Sequence, residues 1–467
     1  MQLSRIETKS SQGGQGAWTP GAWRDYPADQ QPEWEDAGEL EAALDELRTL
    51  PPLILPREAR ALQQDLAAAA RGEGFVLQAG DCAEDFAEFS PEAITERVRL
   101  LLRLALVISY AVGTPVVRVG RLAGQFAKPR SSATENRDGE VLPAFRGHAV
   151  NDFTFDRTAR RPDPRRLLRA YDHALARLNL ARAAVAQELA DDRGWGDILS
   201  IDDLDAPQYE HEVEAVERGF RLVEACGVEP AMATAVRDSE IYTGHEALLL
   251  PFEEALTRRE EDTGDWYCCS GHFPWVGERT RRVDGAHVMF LSGVANPIGV
   301  KLGPETTPEC ALELCAVLDP DRCPGRLSFI TRMGKDAIEE KLPPLLEAVS
   351  HAGRQVVWIC DPMHGNTWTT LEGLKTRAVH DIVAETRAFF EILNEYGTHP
   401  GGLHLELTHQ DVTECVESSA GETHLDESRY TTLCDPRLNG RQSLEVALEL
   451  IDVAQPPAGS GKGGSAE

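Results

Sequence analysis

Four residues of types that bind divalent transition metals close apolar runs or sit in polar loops of this chain. They are Cys82 in Gly80-Asp81-Cys82-Ala83-Glu84, His364 in Asp361-Pro362-Met363-His364, Glu406 in Leu403-His404-Leu405-Glu406 and Asp435 in Leu433-Cys434-Asp435-Pro436. One thiolate, one imidazole and two carboxylates make a borderline donor set. It suits Mn²⁺, Co²⁺, Fe²⁺ or Zn²⁺ better than Mg²⁺ or Ca²⁺. An ion so held acts as a Lewis acid on a carbonyl oxygen. A second set is cationic: Arg121, Arg279, Lys301 and Arg332 each follow a different apolar run. Guanidinium groups grip phosphate or carboxylate through paired hydrogen bonds, and an ammonium adds a point charge. The run Lys128-Pro129-Arg130-Ser131-Ser132 offers a further phosphate clamp. Two anion sites beside one metal imply two anionic substrates, or one with two ends. On spacing alone Asp435 reads as a turn residue before Pro436, and a lone cysteine or histidine after a strand is more often packed than liganding. Glu406 is more telling, because Leu403, Leu405 and Leu407 alternate with His404 and Glu406 and so put both polar side chains on one face.

The elements that must position these groups alternate along the chain. Strands are expected at Phe75–Gln78, Val116–Val119, Ala231–Val236 (or Glu240–Tyr242), Tyr267–Ser270, Val300–Leu302, Ser328–Thr331, Val356–Ile359 and Leu403–Leu407. Apolar residues at three- and four-residue spacing predict helices at Pro91–Val107, Asp163–Leu189, Tyr209–Ala225, Thr307–Leu318, Leu342–Ala352, Ala378–Leu393 and Gln442–Val453. Eight strands with helices between them fit an α/β (β/α)₈ TIM barrel. In that fold the residues just past the strands' C-terminal ends carry the chemistry. The reading divides the chain into an N-terminal extension (1–50) with little periodicity, a catalytic barrel (51–455) and a disordered tail (456–467), with residues 190–210 irregular.

Composition narrows the class. With 77 acidic against 47 basic residues in 467, the formal charge is −30. A field of that sign repels nucleic acid and anionic membranes, so a phosphate site must be a local pocket of Arg and Lys. The first residues carry no apolar core of a signal peptide, and no stretch approaches the ~18 apolar residues of a membrane span. Ten scattered cysteines are too sparse for a disulfide scaffold and fit a reducing cytoplasm.

Longer motifs resemble the type II, plant-like 3-deoxy-D-arabino-heptulosonate 7-phosphate (DAHP) synthases from about Trp18 to Val453. They include Gly80-Asp81-Cys82-Ala83-Glu84, Arg121-Leu122-Ala123-Gly124-Gln125-Phe126-Ala127-Lys128-Pro129-Arg130-Ser131, Trp275-Val276-Gly277-Glu278-Arg279-Thr280-Arg281 and Asn296-Pro297-Ile298-Gly299-Val300-Lys301. Arg332-Met333-Gly334, Asp361-Pro362-Met363-His364-Gly365-Asn366-Thr367 and Cys434-Asp435-Pro436-Arg437-Leu438-Asn439 continue the likeness. The resemblance implies a cytoplasmic transferase that condenses phosphoenolpyruvate with erythrose 4-phosphate at the start of the shikimate pathway. It implies one divalent ion, Mn²⁺ or Co²⁺ ahead of Fe²⁺ or Zn²⁺, on Cys82, His364, Glu406 and Asp435. Arg121, Glu278, Arg279, Lys301 and Arg332 would surround phosphoenolpyruvate, with Glu278, Arg279 and Lys301 catalytic and Glu278 orienting a water. Lys128, Arg130 and Ser131 would sit near the aldose phosphate. A homo-oligomer is expected, built partly by the N-terminal extension, and a chorismate mutase partner by analogy only. The sequence departs from the family pattern at Ala79, His148, Asp152, Gly244 and His409; the lost acid at His148 and the added acid at Asp152 keep open the same chemistry on a modified aldose, such as an amino analogue. A non-catalytic barrel that binds a phosphorylated metabolite is the reading from another class.

Overall fold

The computed structural model describes residues 18–137, 139–190, 214–216, 218–219, 241–419 and 425–454. Eight parallel strands close on themselves: β1 (Phe75–Gly80), β2 (Val116–Arg121), β3 (Tyr242–Glu246), β4 (Phe273–Val276), β5 (Ile298–Leu302), β6 (Leu327–Thr331), β7 (Val357–Cys360) and β8 (Gly402–Glu406). Each pairs with its neighbours in chain order, and β8 pairs with β1. This is the (β/α)₈ barrel expected from the alternation of elements.

Two strand expectations change. Tyr267–Ser270 is not a barrel strand. Trp266–Cys268 pairs antiparallel with Thr257–Arg259 in a separate ribbon, and Phe273–Val276 takes the fourth place in the barrel. Both stretches are short and aromatic, and periodicity alone cannot rank them. The third strand is Tyr242–Glu246. It overlaps the Glu240–Tyr242 alternative only at its first residue, while Ala231–Val236 lies outside the described residues. So do the tail at 456–467, nearly all of the 190–210 stretch and most of the helix expected at Tyr209–Ala225.

The N-terminal region, read as poor in periodicity, contains helix α1 (Ala37–Thr49). Asp36 starts it by accepting the backbone N–H groups of Gly38 and Glu39, and Ala43, Leu44 and Leu47 form its buried face. Other helices start on equally local signals. Ser90 caps α3 (Pro91–Val112) and Thr307 caps the helix Pro308–Leu318, each with proline in the first turn.

Helix α2 (Pro56–Ala70) closes the bottom of the barrel. Its Leu62, Leu66 and Ala69 join Val76, Val117, Val119, Tyr242, Phe273, Trp275, Ile330, Val357 and Ile359 in one apolar cluster inside the sheet. The alternating residues Leu77, Val300, Phe329, Leu403 and Leu405 belong to the larger cluster shared with the outer helices. Continuing the inward parity along each strand leads from this apolar floor to Arg121, Glu246, Lys301, His404 and Glu406 at the opposite end. Cluster and charged rim are thus consecutive layers of the same strands.

Candidate active site

In the ladder, Gly80 of β1 is the register partner of both Arg121 on β2 and Glu406 on β8. A Cβ on Gly80, whose φ is 143°, would meet the Arg121 carbonyl at 2.5 Å. The missing side chain leaves the Arg121 guanidinium free to cross β1. Its Nη2 donates to Glu406 Oε1 at 3.0 Å and its Nε to the Asp81 carbonyl at 2.9 Å. His404, one layer below Glu406, meets Arg121 Nη1 through Nε2 at 2.7 Å. Arginine only donates, so this nitrogen accepts and His404 is neutral with its proton on Nδ1.

Glu406 is fully buried and also faces Lys128 Nζ at 2.8 Å, Arg377 Nη1 at 2.9 Å and His364 Nε2 at 3.3 Å. Burial alone would raise its pKa, but His364, Lys128 and Arg377 hold it well below the usual carboxylate range. His364 lies just past β7 and is aimed by Asp361. Asp361 Oδ1 accepts the backbone N–H groups of Met363 and His364, and Oδ2 meets His364 Nδ1 at 2.8 Å. With Nδ1 committed to the carboxylate, Nε2 turns toward Glu406. A second carboxylate behind the imidazole is how metal-binding histidines are commonly oriented.

Asp435 arrives from the loop after β8. Lys128 Nζ lies 3.1 Å from its Oδ2 and Lys375 Nζ 2.8 Å from its Oδ1, and these cations overcome burial to keep it ionised. Among the described residues, the donor atoms of His364, Glu406 and Asp435 lie within 4.8 Å of one another. Cys82 does not join that triad at this distance. It is buried beside it, with Sγ 3.2 Å from Thr432 Oγ1, and Thr432 in turn donates to the Asp435 carbonyl. Burial raises the Cys82 pKa, and the nearby Glu406 and Asp435 add to the rise against Lys128. The donor set fits a borderline divalent cation. An oriented imidazole and two ionised carboxylates already converge, a thiol stands next to them, and a lysine ammonium bridges both acids.

The cations open from this cluster into a pocket. Arg121, Lys128, Arg130, Ser131, Glu278, Arg279, Lys301, Arg332, His364 and Asp435 all line it. Lys301 is buried against Asp361 Oδ2. Burial lowers its pKa to about 8, with Arg121 and Arg332 adding to the fall and Asp361 opposing it. Arg279 is exposed in the pocket wall. Glu278 has both oxygens engaged: Arg281 meets Oε2 and Oε1 at 3.0 Å each, and the Gly303 N–H donates to Oε2 at 2.7 Å.

Six pocket residues escaped the reading of site residues from sequence: Gln125, Pro129, Glu246, Trp275, Gly277 and Lys375. Glu246 ends β3, and its position would have been legible had that strand been placed correctly. Its Oε1 is buried without a hydrogen-bond partner, at the contact where a Cβ on Gly277 would stand 2.0 Å away. Burial raises its pKa against Lys128, Arg279, Lys301 and Arg121. Trp275 lies under the Arg121 guanidinium at 5.4 Å. Lys375 sits in a two-residue strand paired with Trp368–Thr369, an element too short for any periodic signal.

Residues 18–451 match the model of the Class-II DAHP synthetase family. The phospho-2-dehydro-3-deoxyheptonate aldolase of Streptomyces coelicolor is 48% identical over 436 residues, covering 92% of this chain and 96% of that protein. The phospho-2-dehydro-3-deoxyheptonate aldolase AroG of Mycolicibacterium smegmatis is 44% identical over 436 residues, covering 91% and 92%. A match over nearly the whole length, together with two close full-length relatives, shows that this chain belongs to the Class-II DAHP synthetase family.

Proposed function

We propose that the chain condenses phosphoenolpyruvate with erythrose 4-phosphate to give DAHP and inorganic phosphate, the entry reaction of the shikimate pathway. The observation that carries this reading is one pocket lined by Lys128, Arg130, Arg279, Lys301 and Arg332 that also reaches His364 and Asp435. In a protein of net charge −30, that concentration of cations fits two phosphorylated reactants.

His364, Glu406 and Asp435, with Cys82 beside them, would hold the divalent ion, for which Mn²⁺ or Co²⁺ suits the mixed thiol, imidazole and carboxylate set. When bound, the ion supplies Lewis-acid polarisation of the aldehyde oxygen. Arg279, Lys301 and Arg332 hold phosphoenolpyruvate, and Lys128, Arg130 and Ser131 hold the aldose phosphate. The cations bring C3 of phosphoenolpyruvate to the aldehyde carbon and neutralise charge as they do so. As the carbon–carbon bond forms, the aldehyde C=O π bond opens onto its oxygen, which takes a proton; positive charge develops at C2, and a water oxygen adds there with loss of a proton. The C2–O bond to phosphate then breaks as the new C2 hydroxyl becomes the ketone, its proton leaving with inorganic phosphate. Glu278 is tied down by Arg281 and Gly303, which suits it to fixing the loop that carries Arg279. Glu246, with its unpartnered oxygen among the cations, is the better carboxyl to receive the proton of that water.

The two acidic-site departures do not favour a modified aldose. His148 pairs with Asp85 and Asp152 with Arg166, and neither lines the pocket. The test is phosphate release with phosphoenolpyruvate and a panel of aldose phosphates, before and after chelation and with Mn²⁺ or Co²⁺ restored. Metal-dependent release preferring erythrose 4-phosphate is expected. Binding without release under every metal condition would reduce the chain to a metabolite-binding barrel.

A further inference from the structure

We infer that Gln30, in the segment ahead of the barrel, is a positioning residue for the clamp that receives the aldose phosphate. This rests on the assignment of Lys128, Arg130 and Ser131 to that substrate. The clamp lies in a loop with two legs, one at 128–131 and one at 146. They are joined where the Lys128 N–H donates to the Arg146 carbonyl at 2.9 Å. Gln30 bonds to both legs. Its side-chain Oε1 accepts the Arg130 backbone N–H at 2.9 Å, and its own carbonyl accepts from Arg146 Nη1 at 3.0 Å.

To make both bonds the residue adopts φ 61°. That conformation is unfavourable for any residue with a side chain and easy for glycine. Among the described residues only Gln30 and Arg322 combine a side chain with positive φ. A strained residue at a substrate loop reads as a functional constraint.

The segment does not depend on Gln30 for its attachment. The Ala286 N–H donates to the Pro27 carbonyl at 2.9 Å, Gln31 Nε2 donates to the Leu248 carbonyl at 2.7 Å, and Trp23 Nε1 donates to Glu254 Oε2 at 2.8 Å. Leu248 lies two residues past β3, so the segment is fastened to the barrel on either side of Gln30. What Gln30 adds is local. It occupies the Arg130 backbone donor and holds Arg146 against the other leg. The Arg130 guanidinium, anchored at Nη2 by Glu135 at 3.2 Å, and the exposed Ser131 hydroxyl are left facing the pocket.

Gln30→Gly separates the role from the fold, because it deletes the side-chain acceptor and relieves the backbone at once. Full-length, metal-loaded wild type, Gln30→Gly and Arg130→Ala are compared in steady-state assays with phosphoenolpyruvate and erythrose 4-phosphate, alongside thermal melts. Gln30→Gly is expected to raise KM for erythrose 4-phosphate by ~10-fold while kcat and KM for phosphoenolpyruvate move less than ~2-fold. Its Tm should equal or exceed that of wild type. Arg130→Ala should raise the same KM. An unchanged aldose KM in Gln30→Gly, an equal rise in both KM values, or a lower Tm would each overturn the positioning role, even with Arg130→Ala behaving as expected. No effect of Arg130→Ala would remove the clamp assignment itself, and a wild type that releases no phosphate would remove the reaction on which both rest.

Discussion

The two ends of the barrel interior are built from the same eight strands and bury their residues equally, yet they share no chemistry. At the bottom, Val76, Val117, Tyr242, Phe273 and Val357 pack against Leu62 and Leu66 of α2. At the top, Arg121, Lys128, Lys301, Asp361, His404 and Glu406 are just as inaccessible. The floor draws on apolar burial and close packing. The rim has to offset the desolvation of its charges by pairing them, and a buried ion pair is a weak source of stability. The difference teaches that the floor carries the fold and, on the function proposed above, leaves the reaction to the rim. Substitutions at the two ends should therefore fail in different assays.

The largest effect is expected at the metal cluster. His364→Ala or Cys82→Ala should lower phosphate release by at least ~10³-fold with loss of bound metal, while the melting temperature changes little. Asp361 would keep Lys301, and Glu406 would keep Arg121, Lys128 and Arg377. Retained turnover, or unfolding in place of inactivation, would break the division between the two ends. The complementary change is Phe273→Ala in the floor, where the ring is fully buried. Urea titration should show a loss of about 3–5 kcal/mol, with KM for both substrates unaltered in the protein that remains folded.

A third prediction uses pH. With its pKa lowered to about 8 by burial, Lys301 is cationic below that pH and loses its charge above it. KM for phosphoenolpyruvate should accordingly rise as the pH passes from about 7 to about 9. Lys301→Arg, whose charge persists, should be less active but free of that rise. An identical alkaline profile in the variant would assign the titration to another group. The smallest effect belongs to the surface. Arg60, half-exposed on α2, meets Glu260 and the Tyr267 hydroxyl away from the pocket, so Arg60→Ala should cost no more than ~1 kcal/mol in the same urea titration and leave catalysis alone.

Much of this arrangement could be read before any coordinates. Strand alternation set Glu406 and His404 on one face, and apolar runs ending in Arg121, Lys301 and Arg332 announced the rim. These signals are legible because alternation acts within a few residues. Local signals also misled. Tyr267–Ser270 has the composition of a strand, but its backbone pairs in a ribbon outside the barrel. Displacing the fourth strand and clipping the third left Glu246 unread.

The amino-acid order by itself determined which faces are apolar, where helices begin and which reactive groups stand at strand ends. Only the tertiary structure decided which of those groups meet. Arg121 and His404 are 283 positions apart and touch because β8 closes against β1. Lys375 finds Asp435, Arg377 finds Glu406, and Gln30 reaches Arg130 by the same closure and wrapping. Ion pairing and hydrogen bonding depend on distance in space, and that distance is set by barrel closure rather than by neighbours along the chain.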